Sequence, residues 1–445
     1  MTTVDDVSRP SRVADADEGI SLEELGLAAR NHALPLEALR YDVTPVGLHY
    51  LLIHYDIPDL DADRHLLTID GRVDRPLTFS LADLRARPRV TRRVTLECAG
   101  NGRALLTPRP VSQPWLSEAV GTAEWTGTPL APLLREAGLA ADAVDVVFTG
   151  ADHGVERGVE QDYQRGLPVS EALREEVLLA YEMNGVPLLP QHGAPLRLVV
   201  PGWYGMAHVK WLTRISVLDR EFDGYQNAVA YRLRTSADDP GVPVTRIEPR
   251  ALVQPPGFPD FMSRIRVVRP GPCTVQGRAW SGHAPVTAVE VTTDGGVTWV
   301  PATLDPAGPA DRSGSANEWG AANESTSANG SNTLNESGAA NGSGAGSAGP
   351  TTPDGELAGS TTPAARSTTS DNASAQLGNG GPTVDERWAW RGWRYEWPAT
   401  PGRYVLGARA TDASGRTQPI TQPWNRGGFA NNLVQRVEVV VTDDL

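Results

Sequence analysis

Five stretches in the first half of the chain alternate between apolar and polar residues or run β-branched. They are Leu66–Val73, Val90–Glu97, Val144–Thr149, Leu196–Val200 and Val209–Leu218. Each predicts a strand. Short helices are predicted between them. Ser80 can cap one that contains Leu81 and Leu84. Pro129–Glu136 forms a second that ends at Gly138, and Ser170 caps a third running to Glu176. Glycine and proline are dense throughout, so this half reads as α+β with long irregular loops, not a regular strand–helix–strand series.

The pattern changes near residue 240. Ser263–Val268, Val286–Thr292, Val297–Ala302, Arg403–Ala410 and Val434–Val441 alternate or run β-branched, with no helical periodicity among them. Asp294-Gly295-Gly296 between two of these runs predicts a hairpin. Strands at this spacing predict an antiparallel sandwich. Residues 306–383 interrupt it with Gly, Ser, Asn, Ala and Thr and almost no aliphatic side chains. Such a segment buries too little apolar surface to offset its ordering entropy, so a disordered insertion is expected. The expected organisation is a flexible tail over 1–20, a first domain over 21–238 and a second over 239–445 that carries the insertion.

Composition narrows the function. A chain of 445 residues is too long for one core. Its formal net charge of −14 gives no broad nucleic-acid footprint. An acidic protein that binds an anion must gather its arginines locally. Two cysteines, Cys98 and Cys273, exclude a disulfide framework, a zinc cluster and an iron–sulfur ligand set. No run approaches 18 apolar residues, so no membrane span is expected. The first residues are polar and acidic, without an apolar leader core or twin arginines, and the cytoplasm is the expected location.

The chemistry gathers at Thr95-Leu-Glu-Cys-Ala-Gly-Asn-Gly-Arg103. A strand ends and a turn of small residues begins at the cysteine, where backbone N–H groups can approach a ligand. Arg103 would favour the thiolate. On these residues alone Cys98 is either an inert buried thiol or a metal or redox thiolate.

The Cys-Ala-Gly-Asn run resembles a signature of the sulfite oxidase family, which includes assimilatory nitrate reductases. Leu179-Ala-Tyr-Glu-Met-Asn-Gly185, the run from Pro190 to Gly202, and His208-Val-Lys-Trp-Leu212 resemble further family motifs in the same order. Trp388-Ala-Trp-Arg-Gly-Trp393 and Gln422-Pro-Trp-Asn-Arg-Gly-Gly428 resemble the family's C-terminal domain. The resemblance covers roughly 40–445 apart from the insertion. It implies a molybdopterin-binding domain followed by an immunoglobulin-like dimerisation sandwich, and hence a homodimer. It also implies a molybdopterin cofactor whose molybdenum is ligated by Cys98. Cys273 is left as a structural thiol. Tyr50, His54, Asp152, His192, Arg197, His208, Val209 and Lys210 fall at cofactor-contacting positions, where arginine and lysine suit a phosphate. Arg103 and Arg391 match anion-binding arginines, and Trp115 and Tyr231 match a pocket tryptophan and tyrosine. Read without the family, His192 is a turn residue, Lys210 a solvated strand charge, and Arg391 an arginine stacked on Trp388, Trp390 and Trp393.

Two positions depart from the family pattern. Leu52 stands where the family has arginine, and Gly102 replaces another. A literal Arg30-Asn31-His32 upstream breaks the spacing and is read as a decoy. Each lost charge-assisted contact weakens the grip on a small dianion by about tenfold. The resemblance implies oxidation of sulfite or a related small anionic or oxo-type substrate, with electrons passing to a separate acceptor such as a cytochrome. No haem-binding stretch is found. Reduction of an S-oxide or N-oxide at the same centre is the alternative, and a non-catalytic sandwich protein is a third reading.

Overall fold

The computed structural model describes residues 11–306 and 385–444, with Thr3, Val4 and Ser8. Nearly all of the insertion expected at 306–383 lies outside the described residues. The described chain is mostly sheet with few helices.

Two sheets build the first half. One has the order β2 (Leu77–Ser80), β1 (Leu66–Gly71), β10 (Leu212–Leu218), β5 (Asp145–Glu156) and β6 (Val159–Pro168). In the other, Asp385–Trp388 pairs in parallel with β3 (Val90–Glu97), followed by β4 (Val120–Pro129), β7 (Leu178–Met183) and β8 (Val186–Pro187). β9 (Arg197–Val199) pairs with β7 beside β8. The chain therefore returns from the far side of the insertion to add a strand to the first half, before Arg391–Ala399 joins the second.

The local chemistry explains the helices. Ser80 and Asp83 form a reciprocal capping box for Leu81–Arg85. Leu130–Ala137 ends at Gly138, whose φ of 74° suits glycine. The helix expected from Ser170 to Glu176 is instead a single turn, Val169–Ala172, entered from Pro168. The strand expected from Val209 starts only at Leu212, because Trp211 takes a φ of 50°. The stretch expected to be a free tail is held from residue 12 on. Arg109 donates to the Glu18 and Gly19 carbonyls and to Glu24, and Ala14 N–H bonds the Arg109 carbonyl.

The second half has two sheets sharing one apolar core. A four-stranded sheet runs Arg250–Gln254, Gly271–Trp280, Arg391–Ala399, Thr303–Leu304. A six-stranded sheet runs Phe258–Pro259, Arg266–Val268, Val437–Val441, Gly402–Asp412, Val286–Thr292, Val300–Pro301. Val275, Val291, Trp393, Leu406 and Val439 fill the space they share. A separate cluster joins the halves. It brings Ala99, Tyr204 and Tyr231 against Leu252, Trp280, Trp390 and Phe429.

Candidate active site

Cys98 follows the last residue of β3 and is 7 % exposed. Its N–H bonds the Ala119 carbonyl at 2.9 Å, and its carbonyl accepts Asn101 N–H at 3.0 Å. The turn after it is gripped from the second half. Ala430 N–H donates to the Ala99 carbonyl, Asn431 Nδ2 to the Gly102 carbonyl, and Arg103 Nε to the Gly427 carbonyl. Glu97, just before the cysteine, is fully buried. Arg250 Nε pairs with its Oε1 at 2.8 Å, Asn101 Nδ2 bonds that oxygen at 3.0 Å, and Trp280 Nε1 bonds Oε2 at 2.7 Å. Burial pushes the Cys98 thiol up, while Arg103, the Gly100 N–H and Trp115 pull the other way.

Cys98 opens into a cavity whose atom-free space, counting open solvent at its mouth, is about 670 Å³. Of the residues singled out in the sequence, Tyr50, His54, Asp152, His192, Arg197, His208, Lys210 and Tyr231 line it with Cys98. Each is delivered by a distinct local device. Asp152 sits where the pairing of β5 with β6 slips between Thr149 and His153, an irregularity that can redirect a side chain. His192 ends a 3-10 turn closed by Gly193 at φ 99°. Arg197 lies on β9, donates to the His192 carbonyl at 2.9 Å and the His208 carbonyl at 3.3 Å, and stacks on Trp125 at 4.6 Å. Lys210 Nζ reaches back to the Leu52 carbonyl at 2.9 Å. Tyr231 closes a π-helical turn over Gln226–Ala230, and its hydroxyl meets His54 Nε2 at 2.9 Å.

The cavity is short of negative charge. Burial holds Lys210 down to about 7 and Arg197 to about 10. Burial pushes Asp152 up to about 6, with Lys210 opposing. His49 is held to about 4 and His192 and His208 to about 3, chiefly by burial. Arg197 Nε and Asp152 Oδ1 are buried without a hydrogen-bond partner. A wall with unmatched donors and acceptors beside surplus cations fits a polar, anionic group such as a phosphate-bearing pterin. Among the described residues no cluster of three His, Cys, Asp or Glu could hold a metal. A metal here would need its remaining ligands from the cofactor.

Several expected residues stand apart. Arg391 does not join the cavity. It starts a strand paired with Gly271–Trp280 and donates to the Val286 and Asp305 carbonyls. The register fixes its guanidinium inside the second half, and among the described residues no aromatic ring stacks on it. Val209 packs into the core of the first half, and its carbonyl accepts Leu198 N–H. His208 lines the cavity, yet both ring nitrogens are engaged. Nδ1 accepts Val200 N–H at 3.0 Å, so Nε2 donates to the Trp203 carbonyl at 3.0 Å. Trp115 packs with Cys98, and Arg103 folds its guanidinium where a side chain at Gly100 would be. Both adjoin the cysteine without lining the main cavity.

The decoy is a brace. Asn31 Oδ1 accepts Ile53 N–H at 2.8 Å, His32 and Leu51 exchange backbone bonds, and Arg30 donates to the Tyr55 carbonyl at 2.6 Å. That segment orients the stretch bearing Leu52 and His54. Sequence reasoning missed His49, Tyr163 and Gln191 in the lining and Arg165 behind Tyr231. Gln161, Tyr163 and Arg165 alternate along β6, and that period-2 pattern was the available signal.

The thiol, the cavity and the flanking cations fit a molybdopterin-binding domain. Residues 54–226 match the oxidoreductase molybdopterin binding domain family. The chain is 35% identical to human mitochondrial sulfite oxidase over 280 residues, covering 59% of this chain and 49% of that one. It is 33% identical to an NADH nitrate reductase of Arabidopsis thaliana over 298 residues, covering 62% and 32%. The solved sulfane dehydrogenase SoxCD of Paracoccus pantotrophus shares its fold, with TM-score 0.65 at 20% identity over 98% of this chain and 96% of that one. Residues 54–226 thus match a molybdopterin-binding domain, and the chain is similar to sulfite oxidases. It spans about half the length of the sulfite oxidases it matches.

Proposed function

We propose that this chain oxidises sulfite or a related small anion by oxygen-atom transfer and passes two electrons, one at a time, to a separate acceptor such as a cytochrome. The observation that carries this reading is Cys98 opening into one cavity with Arg197, Lys210, Asp152 and His192. Bound molybdopterin would supply the two-electron redox chemistry and the transferable oxygen, with Cys98 as the protein's ligand to molybdenum. Arg197 and Lys210 would hold its phosphate, while Asp152 and His192 would hydrogen-bond its edge. Val209 and His208 would act by shaping the wall. Arg103 would draw the anion toward Cys98, Trp115 would close that end against water, and Tyr231, fixed by His54, would orient the substrate.

The second half would be an immunoglobulin-like sandwich through which two copies pair. We place the chain in the cytoplasm without a haem of its own; among the described residues no helix is long and apolar enough to cross a membrane. Leu52 in the cavity wall favours a second reading, reduction of an uncharged S-oxide or N-oxide. The test is steady-state turnover of molybdenum-loaded protein, with sulfite plus an artificial acceptor against sulfoxide plus a reduced dye. Absence of sulfite turnover at full loading removes the first reading.

A further inference from the structure

Arg165 lies on β6, two residues after Tyr163, and is 2 % exposed. Its Nη1 donates to the Gln226 carbonyl and its Nε–H has no acceptor. Among the described residues it has no carboxylate within ion-pair distance. A guanidinium buried without counter-charge is costly to keep, so its surroundings indicate its use. The Gln226 carbonyl also accepts Tyr231 N–H at 3.3 Å, the bond that closes the turn delivering Tyr231. One residue along, Gly166 N–H bonds Asn227 Oδ1 at 3.1 Å, and Asn227 Nδ2 returns a bond to the Gly166 carbonyl at 3.0 Å. The Arg165 guanidinium carbon lies 5.6 Å from the Tyr231 ring centroid. Phe429 packs on the same ring at 5.0 Å and carries Arg103 at 5.1 Å.

We propose that Arg165 is a positioning residue of the substrate end: it clamps the turn that aims Tyr231 and supplies, where Arg391 was expected to, the second buried positive charge that draws an anion toward Arg103. This rests on the anion-oxidising reading of the cavity. Arg165 acts through Tyr231 and through its field, since Tyr231 lines the cavity and Arg165 does not.

The test uses full-length, molybdenum-loaded protein and the variants Arg165→Met and Arg165→Lys. Sulfate binding is measured by titration calorimetry, alongside metal content and steady-state kinetics with sulfite. Arg165→Met is expected to bind sulfate about tenfold more weakly, the scale of one charge-assisted contact, with KM raised, kcat lowered and metal content unchanged. Arg165→Lys is expected to keep sulfate affinity within about threefold while kcat stays low, because the charge remains and the fork is lost. Arg165→Met with wild-type sulfate affinity and unchanged kcat and KM would overturn the proposal. If that variant does not fold, Arg165→Lys decides, and unchanged kcat would overturn it. Weaker sulfate binding in Arg165→Met, together with a wild-type chain that ignores sulfite, would support this role and remove only the sulfite reading.

Discussion

Buried arginines fall into two populations on either side of the junction between the halves. Those that begin in the second half are matched by acids. Arg250 pairs with Glu97, Arg266 with Glu37 and Arg278 with Asp42, all within 3.2 Å. Those around the cavity, Arg103, Arg165 and Arg197, bond only backbone carbonyls among the described residues. The matched set stitches the fold, because each partner lies in the other half. The unmatched set leaves a positive surplus that a bound anion can neutralise. The difference separates charge that stabilises this chain from charge that waits for a ligand.

The largest expected effect comes from removing the thiol. Cys98→Ala should abolish redox turnover while costing only about 1 kcal/mol of stability, since little apolar surface is lost. X-ray absorption should then find no protein sulfur on molybdenum; turnover at the wild-type level would break the assignment. Arg250→Met should cost about 3–5 kcal/mol in chemical denaturation, because Glu97 is left buried and unpaired. A loss under 1 kcal/mol would mean that the matched set is not structural.

Acid should affect the cavity side next. His49, His192 and His208 have folded values near 4, 3 and 3, below the ordinary 6.5. Their contribution is fully present above about 6.5 and is lost as pH falls toward those folded values. At pH 5 each should cost about 2 kcal/mol, and calorimetric unfolding of cofactor-free protein between pH 7 and 5 reads their sum less about 1 kcal/mol from Asp152, whose raised value of about 6 favours the folded state as pH falls. Arg197→Met should change the stability of cofactor-free protein by about 1 kcal/mol or less, since relief of burial offsets the lost carbonyl bonds. Its molybdenum content after expression should fall sharply, and normal loading would dissolve the contrast with Arg250. Smallest is Arg391→Met. A loss of about 1 kcal/mol with KM and kcat within twofold of wild type is expected, and a tenfold rise in KM would return Arg391 to the substrate site.

Much of the first half was legible because its signals are local. Val90–Glu97 forms over its whole predicted range, and Ser80 caps its helix as its spacing implies. Tyr50, His54, Cys98, His192, Arg197, His208 and Lys210 converge on one cavity from strand ends, turns and loops, and Asp152 joins them from a pairing irregularity. What was illegible depends on three-dimensional partners. Of the run Val297–Ala302 only Val300–Pro301 is strand, because Asp294 Oδ1 captures the N–H groups of Val297 and Thr298 before the sheet can. Arg391 was assigned to the substrate by resemblance alone, whereas pairing register sets where a strand residue points. His208 was assigned to the cofactor by resemblance, yet both its ring nitrogens have backbone partners, which no motif reveals. Arg165 carries no motif, and its distinguishing property is a counter-charge that never arrives.

The turn after Cys98 takes three of its bonds from residues 427–431, more than 300 positions later in the chain. During synthesis the thiol-bearing turn therefore waits until residues 427–431 have left the ribosome, and a product truncated before 427 would carry its cysteine on an unbraced loop.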